Sequence, residues 1–163
     1  MTRKRSFPPV VDEGVRLLVL GSLPGEASLA AGRYYAHPRN AFWRLMGTVV
    51  GEDLHGMDYE ARLATLLRHR VGLWDVVGEA VRPGSLDTAI RDATPNDLAA
   101  LVDSLPALRA VGFNGGTSAK KGMTLLAGRA DRLRLIPLPS SSPAFTLPFT
   151  AKAEAWAVLG DYV

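Results

Sequence analysis

Four short apolar runs punctuate the chain: Leu17–Leu20, Val71–Val77, Leu108–Phe113 and Leu133–Leu138. Three are rich in Val, Leu and Ile without polar alternation, the pattern of strands in a sheet covered on both faces. The segments between them carry helical spacing. Ala41–Val50 brings Phe42, Leu45, Met46 and Val49 to one face, and Tyr59–Arg68 does the same with Leu63, Leu66 and Leu67. Asp97–Ser104 follows Pro95-Asn96, a helix start signal, and aligns Leu98, Leu101 and Val102. Thr117–Ala127 and Ala151–Leu159 complete the predicted helices. Strands alternating with helices predict a parallel α/β sheet with helices on both faces, in a single domain. A basic, proline-containing extension is expected over 1–13, and the domain over 14–163.

Composition narrows the function classes. The 163 residues are 47% hydrophobic and 21% charged, which fits one globular domain with a substantial core. There is no cysteine, so disulfide frameworks, zinc fingers, iron–sulfur clusters and thiol nucleophiles are excluded. No apolar run approaches the ~20 residues of a membrane span. Pro8 and Pro9 stand where a signal peptide would place its apolar region. A soluble cytoplasmic protein with no membrane partner is expected.

The net charge of +3 permits a nucleic-acid partner, and its distribution says more. Between Gly14 and Gly47, Arg16, Arg33, Arg39 and Arg44 face one acid, Glu26. Between Arg132 and Ala153 the charged residues are Arg132, Arg134 and Lys152. In open parallel sheets, ligands sit beyond the carboxyl ends of the strands. Four distinctive loops fall there: Gly21–Glu26 and the stretch on to Asn40; Asp75 with Arg82–Ser85; Asn114–Ser118; and Pro139–Ala144. The first is neither a dinucleotide fingerprint nor a phosphate loop. Tyr34–Trp43 gathers aromatic rings, His37, Arg39 and the carboxamide of Asn40 just before a helix, which Asn40 alternatively caps. The hydroxyl-rich Ser140-Ser141-Ser142 suits phosphate oxygens, or is an ordinary Ser/Pro turn. No Gly-x-Ser-x-Gly elbow is present, and no two histidines have zinc-ligand spacing.

Three segments together carry a resemblance: Gly21-Ser22-Leu23-Pro24-Gly25, then Tyr35-Ala36-His37-Pro38-Arg39-Asn40-Ala41-Phe42-Trp43, then Leu138-Pro139-Ser140-Ser141-Ser142-Pro143-Ala144. In this order they resemble the uracil-DNA glycosylase superfamily, and within it the hypoxanthine-DNA glycosylase branch. Gly72–Val76 and Arg82–Asp87 resemble the same branch. The resemblance implies a four-stranded parallel sheet between helices, with a DNA groove across the strand ends. Mismatch-specific relatives place Asn where Leu23 stands, and other relatives place His or Asn where Leu138 stands. The usual two polar residues are therefore missing, and the branch assigns the catalytic burden to the Asn matched by Asn40.

The resemblance also implies an activity and a set of site residues. The activity is a monofunctional glycosylase hydrolysing deaminated bases, hypoxanthine foremost, from DNA; uracil, xanthine and oxanine are further possible substrates. By the same resemblance, Asn40 positions the water. Gly21, Ser22, Leu23, Tyr35, Asp75 and Asn114 would form the base pocket, with Tyr35 as stacking platform. His37, Arg39, Ser140, Ser141, Ser142 and Pro143 would contact DNA, with Pro143, Ala144 or Phe145 filling the gap left by the base. Asp75 stands where relatives carry an Asn that reads the base edge. Ionised, it would accept from the N1–H of hypoxanthine but repel O6; alternatively it bonds the loop near Arg82 or Ser85. A monomer with no cofactor and no metal is expected. Two other classes fit the same fold: a nucleoside or nucleotide hydrolase, and a DNA-binding module without catalysis.

Overall fold

The structure, a computed structural model, describes residues 2–163. Its centre is a four-stranded parallel sheet of β2 (Leu17–Gly21), β3 (Val71–Asp75), β6 (Ala110–Asn114) and β7 (Arg134–Leu138), in the order β3-β2-β6-β7. β2 is buried along its whole length because both faces are covered. Leu17 and Val19 point into a core built with α2 (Phe42–Val50), α3 (Tyr59–Arg68) and α6 (Phe149–Trp156). Leu18 and Leu20 point the other way, to α4 (Leu98–Asp103) and α5 (Gly116–Leu125). The period-2 alternation of one strand thus divides the molecule into two cores. Asp58 and Asp97 cap α3 and α4, each side chain accepting a backbone N–H three residues on. α5 lies so close to β6 that a Cβ at Gly122 would meet the Phe113 ring at 2.3 Å.

A second sheet departs from the predicted architecture. It is antiparallel, in the order β1-β4-β5, from β1 (Arg3–Arg5), β4 (Val77–Val81) and β5 (Arg91–Pro95). The apolar run Val71–Val77, predicted as one strand, belongs to two: β3 ends at Asp75, and Val77 opens β4. The chain leaves the main sheet there because the backbone after β2 takes it, with Val76 N donating to Gly21 O and Val77 N to Ser22 O. Within the stretch expected as an extension, Arg3–Arg5, Phe7 and Val10 lie against the domain. β1 pairs with β4, Val10 bridges Leu73, and Trp74 Nε1 donates to Phe7 O at 2.9 Å. A short α1 (Glu26–Ala31), also unpredicted, follows the Gly21–Gly25 turn.

Candidate nucleic-acid base site

The carboxyl ends of the parallel strands open into a cleft of about 530 Å³. Gly21, Asp75 and Asn114 are the last residues of β2, β3 and β6, and all three line it. Gly21 is required there by close approach: a Cβ would stand 2.5 Å from Asp75 Oδ1 and 3.0 Å from the Tyr35 hydroxyl. Ser22 and Leu23 continue the wall, and Leu23 packs against Val77 and Ala80 of the second sheet and Ile90 just before β5. Leu138, the last residue of β7, turns into the main core instead and contributes nothing to the cleft wall.

Tyr35 and Asn40 reach the cleft from the loop before α2. The Tyr35 ring lies on Phe42 with centroids 3.8 Å apart and planes 13° apart. Its backbone has φ +53, a left-handed conformation that a bulky residue adopts at a cost of roughly 1–3 kcal/mol, so the ring is held where packing puts it. Burial, and then the charge of Asp75, push its hydroxyl far above the ordinary phenol range. Asn40 stands one residue before the N-cap Ala41, and its Oδ1 accepts from Phe42 N at 3.0 Å, so its side chain serves the start of α2 much as the capping alternative has it. A carboxamide oxygen has two lone pairs, so this bond leaves one unused in a side chain that lines the cleft. His37 also lines the cleft, and its Nδ1 accepts from Arg39 N at 3.1 Å. Arg39 is exposed outside the cleft wall.

Two acids and one arginine set the electrostatics. Asp75 is 3% exposed, and its Oδ2 is buried without a hydrogen-bond partner. Neither Arg82 nor Ser85 bonds it, contrary to the loop-bonding alternative. Arg82 is itself buried and donates to Gly84 O at 2.7 Å, Leu23 O at 3.2 Å and Pro24 O at 2.7 Å. It staples the loop after β4 onto the Gly21–Gly25 turn. Desolvation and the neighbouring Asp87 carboxylate raise Asp75 to about 7, with Arg82 opposing weakly. Asp87 also lines the cleft, is raised by burial, and accepts from Ser22 Oγ at 2.6 Å. Sequence reasoning gave Asp87 no role, because its partner lies 65 positions away.

The opposite rim is Ser140–Phe145. Ser141 is buried, and it and Asn114 exchange two hydrogen bonds: Asn114 Nδ2 donates to Ser141 Oγ at 2.9 Å, and Ser141 N donates to Asn114 Oδ1 at 2.8 Å. Asn114 therefore ties the loop to the end of β6. Ser140 Oγ and Ser142 Oγ accept from the backbone N–H groups of Ser142 and Ala144. The amides of Ser142 and Ala144 are thus spent within the loop and that of Ser141 on Asn114, while a hydroxyl that accepts still has its own proton to donate. Lys152, buried, donates from Nζ to Ser142 O at 3.1 Å and braces the loop from behind. Pro143 lines the cleft, and Phe145 stands 47% exposed at its edge.

With this geometry in place, comparison with known proteins is decisive. The uracil DNA glycosylase superfamily model matches residues 8–160. The chain belongs to that superfamily. It is 41% identical over 155 residues to a hypoxanthine DNA glycosylase of Methanosarcina barkeri, covering 95% of this chain and 96% of that one. It is 45% identical over 141 residues to a protein of the same name from Methanosarcina acetivorans, covering 86% and 87%. The solution NMR structure of a uracil DNA glycosylase candidate from Methanosarcina acetivorans superposes with a TM-score of 0.87 at 40% identity, over 98% of this chain and 97% of that one. No helix among the described residues is long and apolar enough to cross a membrane.

Proposed function

We propose that this protein is a monofunctional DNA glycosylase that hydrolyses the N-glycosidic bond of hypoxanthine in DNA. The observation that carries the reading is the cleft at the strand ends, which pairs the Tyr35 face with the buried edge of Asp75, in a chain whose relatives are named for this activity. A base inside a duplex is out of reach, so the nucleotide is extruded into the cleft at a cost of a few kcal/mol. Stacking on Tyr35 offsets this by ~1–3 kcal/mol. Ser22 and Leu23 offer backbone along the base, and Asp75 reads its edge.

As the bond from the sugar C1′ to the base breaks, its electron pair leaves with the base and the sugar becomes oxocarbenium-like. Water held by Asn40 Oδ1 then bonds to C1′, and the proton it loses ends on the departed base, which is released as the neutral molecule. Because Asn40 is weakly basic, its contribution is placement rather than proton abstraction. The hydroxyls of Ser140 and Ser142 with His37 and Arg39 hold phosphates, which position DNA without reading sequence. Phe145, the exposed ring at the rim, fills the space the base vacates. The protein works as a monomer on DNA in the cytoplasm, without metal or cofactor. Base release from oligonucleotides carrying one hypoxanthine, uracil, xanthine or oxanine tests the reading. Free hypoxanthine in preference to the others is expected. Tight lesion binding with no free base would make this a binding module, and turnover of free inosine without salt-sensitive DNA affinity would make it a nucleoside hydrolase.

A further inference from the structure

We propose that Asp75 holds the extruded base as a neutral acid, its carbonyl oxygen accepting from a ring N–H while its O–H donates to the adjacent ring carbonyl. The inference rests on the glycosylase reading and deepens it by naming the substrate edge: a lactam, an N–H beside a C=O, as in hypoxanthine. Position comes first. Asp75 ends β3, lines the cleft, and has a buried Oδ2 with no partner of its own. A buried carboxylate persists as a charge only when paired, and each element packed around Asp75 fails to provide that pair.

From the loop after β4, Arg82 directs its guanidinium to three backbone carbonyls. From the following turn, Asp87 adds a like charge and is itself bonded to Ser22. From the loop before α2, Tyr35 and Tyr34 bring buried phenols rather than cations. Gly21 on β2 brings no side chain at all. The group is consequently raised to about 7, where both protonation forms are accessible near neutrality. The ionised form would meet O6 of hypoxanthine with repulsion; the neutral form satisfies N1–H and O6 together. Its O–H also strengthens as negative charge grows on the departing base. A neutral acid can present donor and acceptor in either order. Discrimination against amino-bearing bases therefore rests on the cost of extruding a well-paired nucleotide.

The test is the pH dependence of binding to an oligonucleotide with 2′-fluoro-deoxyinosine, whose fluorine resists glycosidic cleavage. It is expressed relative to the same oligonucleotide with a tetrahydrofuran abasic analogue, which cancels phosphate contacts. For the wild type, this preference is expected to fall about tenfold between pH about 5.5 and about 8 as Asp75 ionises. Asp75→Asn keeps one donor and one acceptor but cannot titrate. It should start severalfold below wild type at the acid end, show no slope, and cross the wild-type curve. Asp87→Asn removes the like charge, so the fall should move to lower pH. A flat wild-type curve, or an Asp75→Asn curve parallel to it, would overturn the proposal. Hypoxanthine release from the unfluorinated oligonucleotide is read alongside. Sloping preference without release keeps this inference and refutes the hydrolase; release with flat preference does the reverse.

Discussion

The two walls of the cleft are built on opposite principles. The floor, from Gly21, Asp75 and Tyr35, is set by strand ends and a stacked ring, and it leaves polar atoms unpaired: Oδ2 of Asp75 and the hydroxyl of Tyr35. The rim, from Ser140 to Phe145, is a loop whose polar atoms mostly serve each other, through Asn114, the two serine turns and Lys152. Unpaired buried groups cost stability and are tolerated where a ligand completes them. A self-satisfied loop keeps its shape and offers hydroxyl protons and one exposed ring. Under the proposed function, selection and chemistry belong to the floor and grip to the rim.

The largest effect is expected at Asn40, the residue proposed to hold the attacking water. Asn40→Ala should lower single-turnover release by two or more decades with little change in DNA affinity, and should also cost about 1 kcal/mol of stability through the lost cap. Asn40→Ser restores a capping oxygen. Melting temperature should recover in that variant while release stays low; recovery of both would reduce Asn40 to its cap. Next comes Gly21→Ala, whose new methyl would occupy the space of Asp75 Oδ1. A loss of about 1–3 kcal/mol and at least tenfold weaker lesion binding are expected, by denaturant melts and anisotropy titration.

Stability against pH sharpens the floor from another side. Asp75 is raised from 3.8 to about 7, so the folded state holds its proton where the unfolded chain has lost it. Its contribution to stability is therefore full below pH about 4 and is lost as pH rises through about 7. Asp75→Asn should melt higher than wild type at pH about 8, and the gap should shrink toward pH about 4. A gap that is constant with pH would mean that Asp75 is not penalised by burial.

Leu23→Asn probes the vacated polar position. Its amide would enter the apolar contact with Val77, Ala80 and Ile90, costing about 1–3 kcal/mol if unpaired. Some gain of uracil release is expected, partly retained in a double variant with Asn40→Ala. A folded variant with no uracil release above background would show that this position does not address the sugar. The smallest effect belongs to the rim. Ser140→Ala with Ser142→Ala should weaken binding severalfold for all sequences alike, leaving the ranking of bases unchanged. A changed ranking would erase the distinction between floor and rim.

Much of the fold was legible in the residues because burial leaves a simple mark. The runs beginning at Leu17, Val71 and Leu108 are apolar because their strands are covered twice, and with the half-covered edge strand of the Leu133 run they assemble into the four-stranded sheet. The second sheet leaves no such mark: β1 reads Arg-Lys-Arg, and every residue of β5 is exposed. The seam at Val76 was hidden because Val76 and Val77 resume the apolar pattern directly after Asp75. In the site, Tyr35, Asp75 and Asn40 were visible as unusual residues in strand-end loops. That Asp75 lacks a partner while Arg82 spends itself on backbone was not visible, since those bonds join residues 58 and 59 positions apart. Nor could the sequence tell that the serine loop satisfies its own amides, because turn residues and phosphate-binding residues are the same types.

The central claim is that this cleft removes hypoxanthine from DNA by hydrolysis. Its most direct test is chromatographic detection of the free base from an oligonucleotide containing a single deoxyinosine, with enzyme in excess. Stoichiometric free hypoxanthine is predicted, with a strand that stays intact until alkali breaks it at the abasic site. A nucleoside or nucleotide product, or no product after long incubation with an enzyme that binds the lesion, would contradict it.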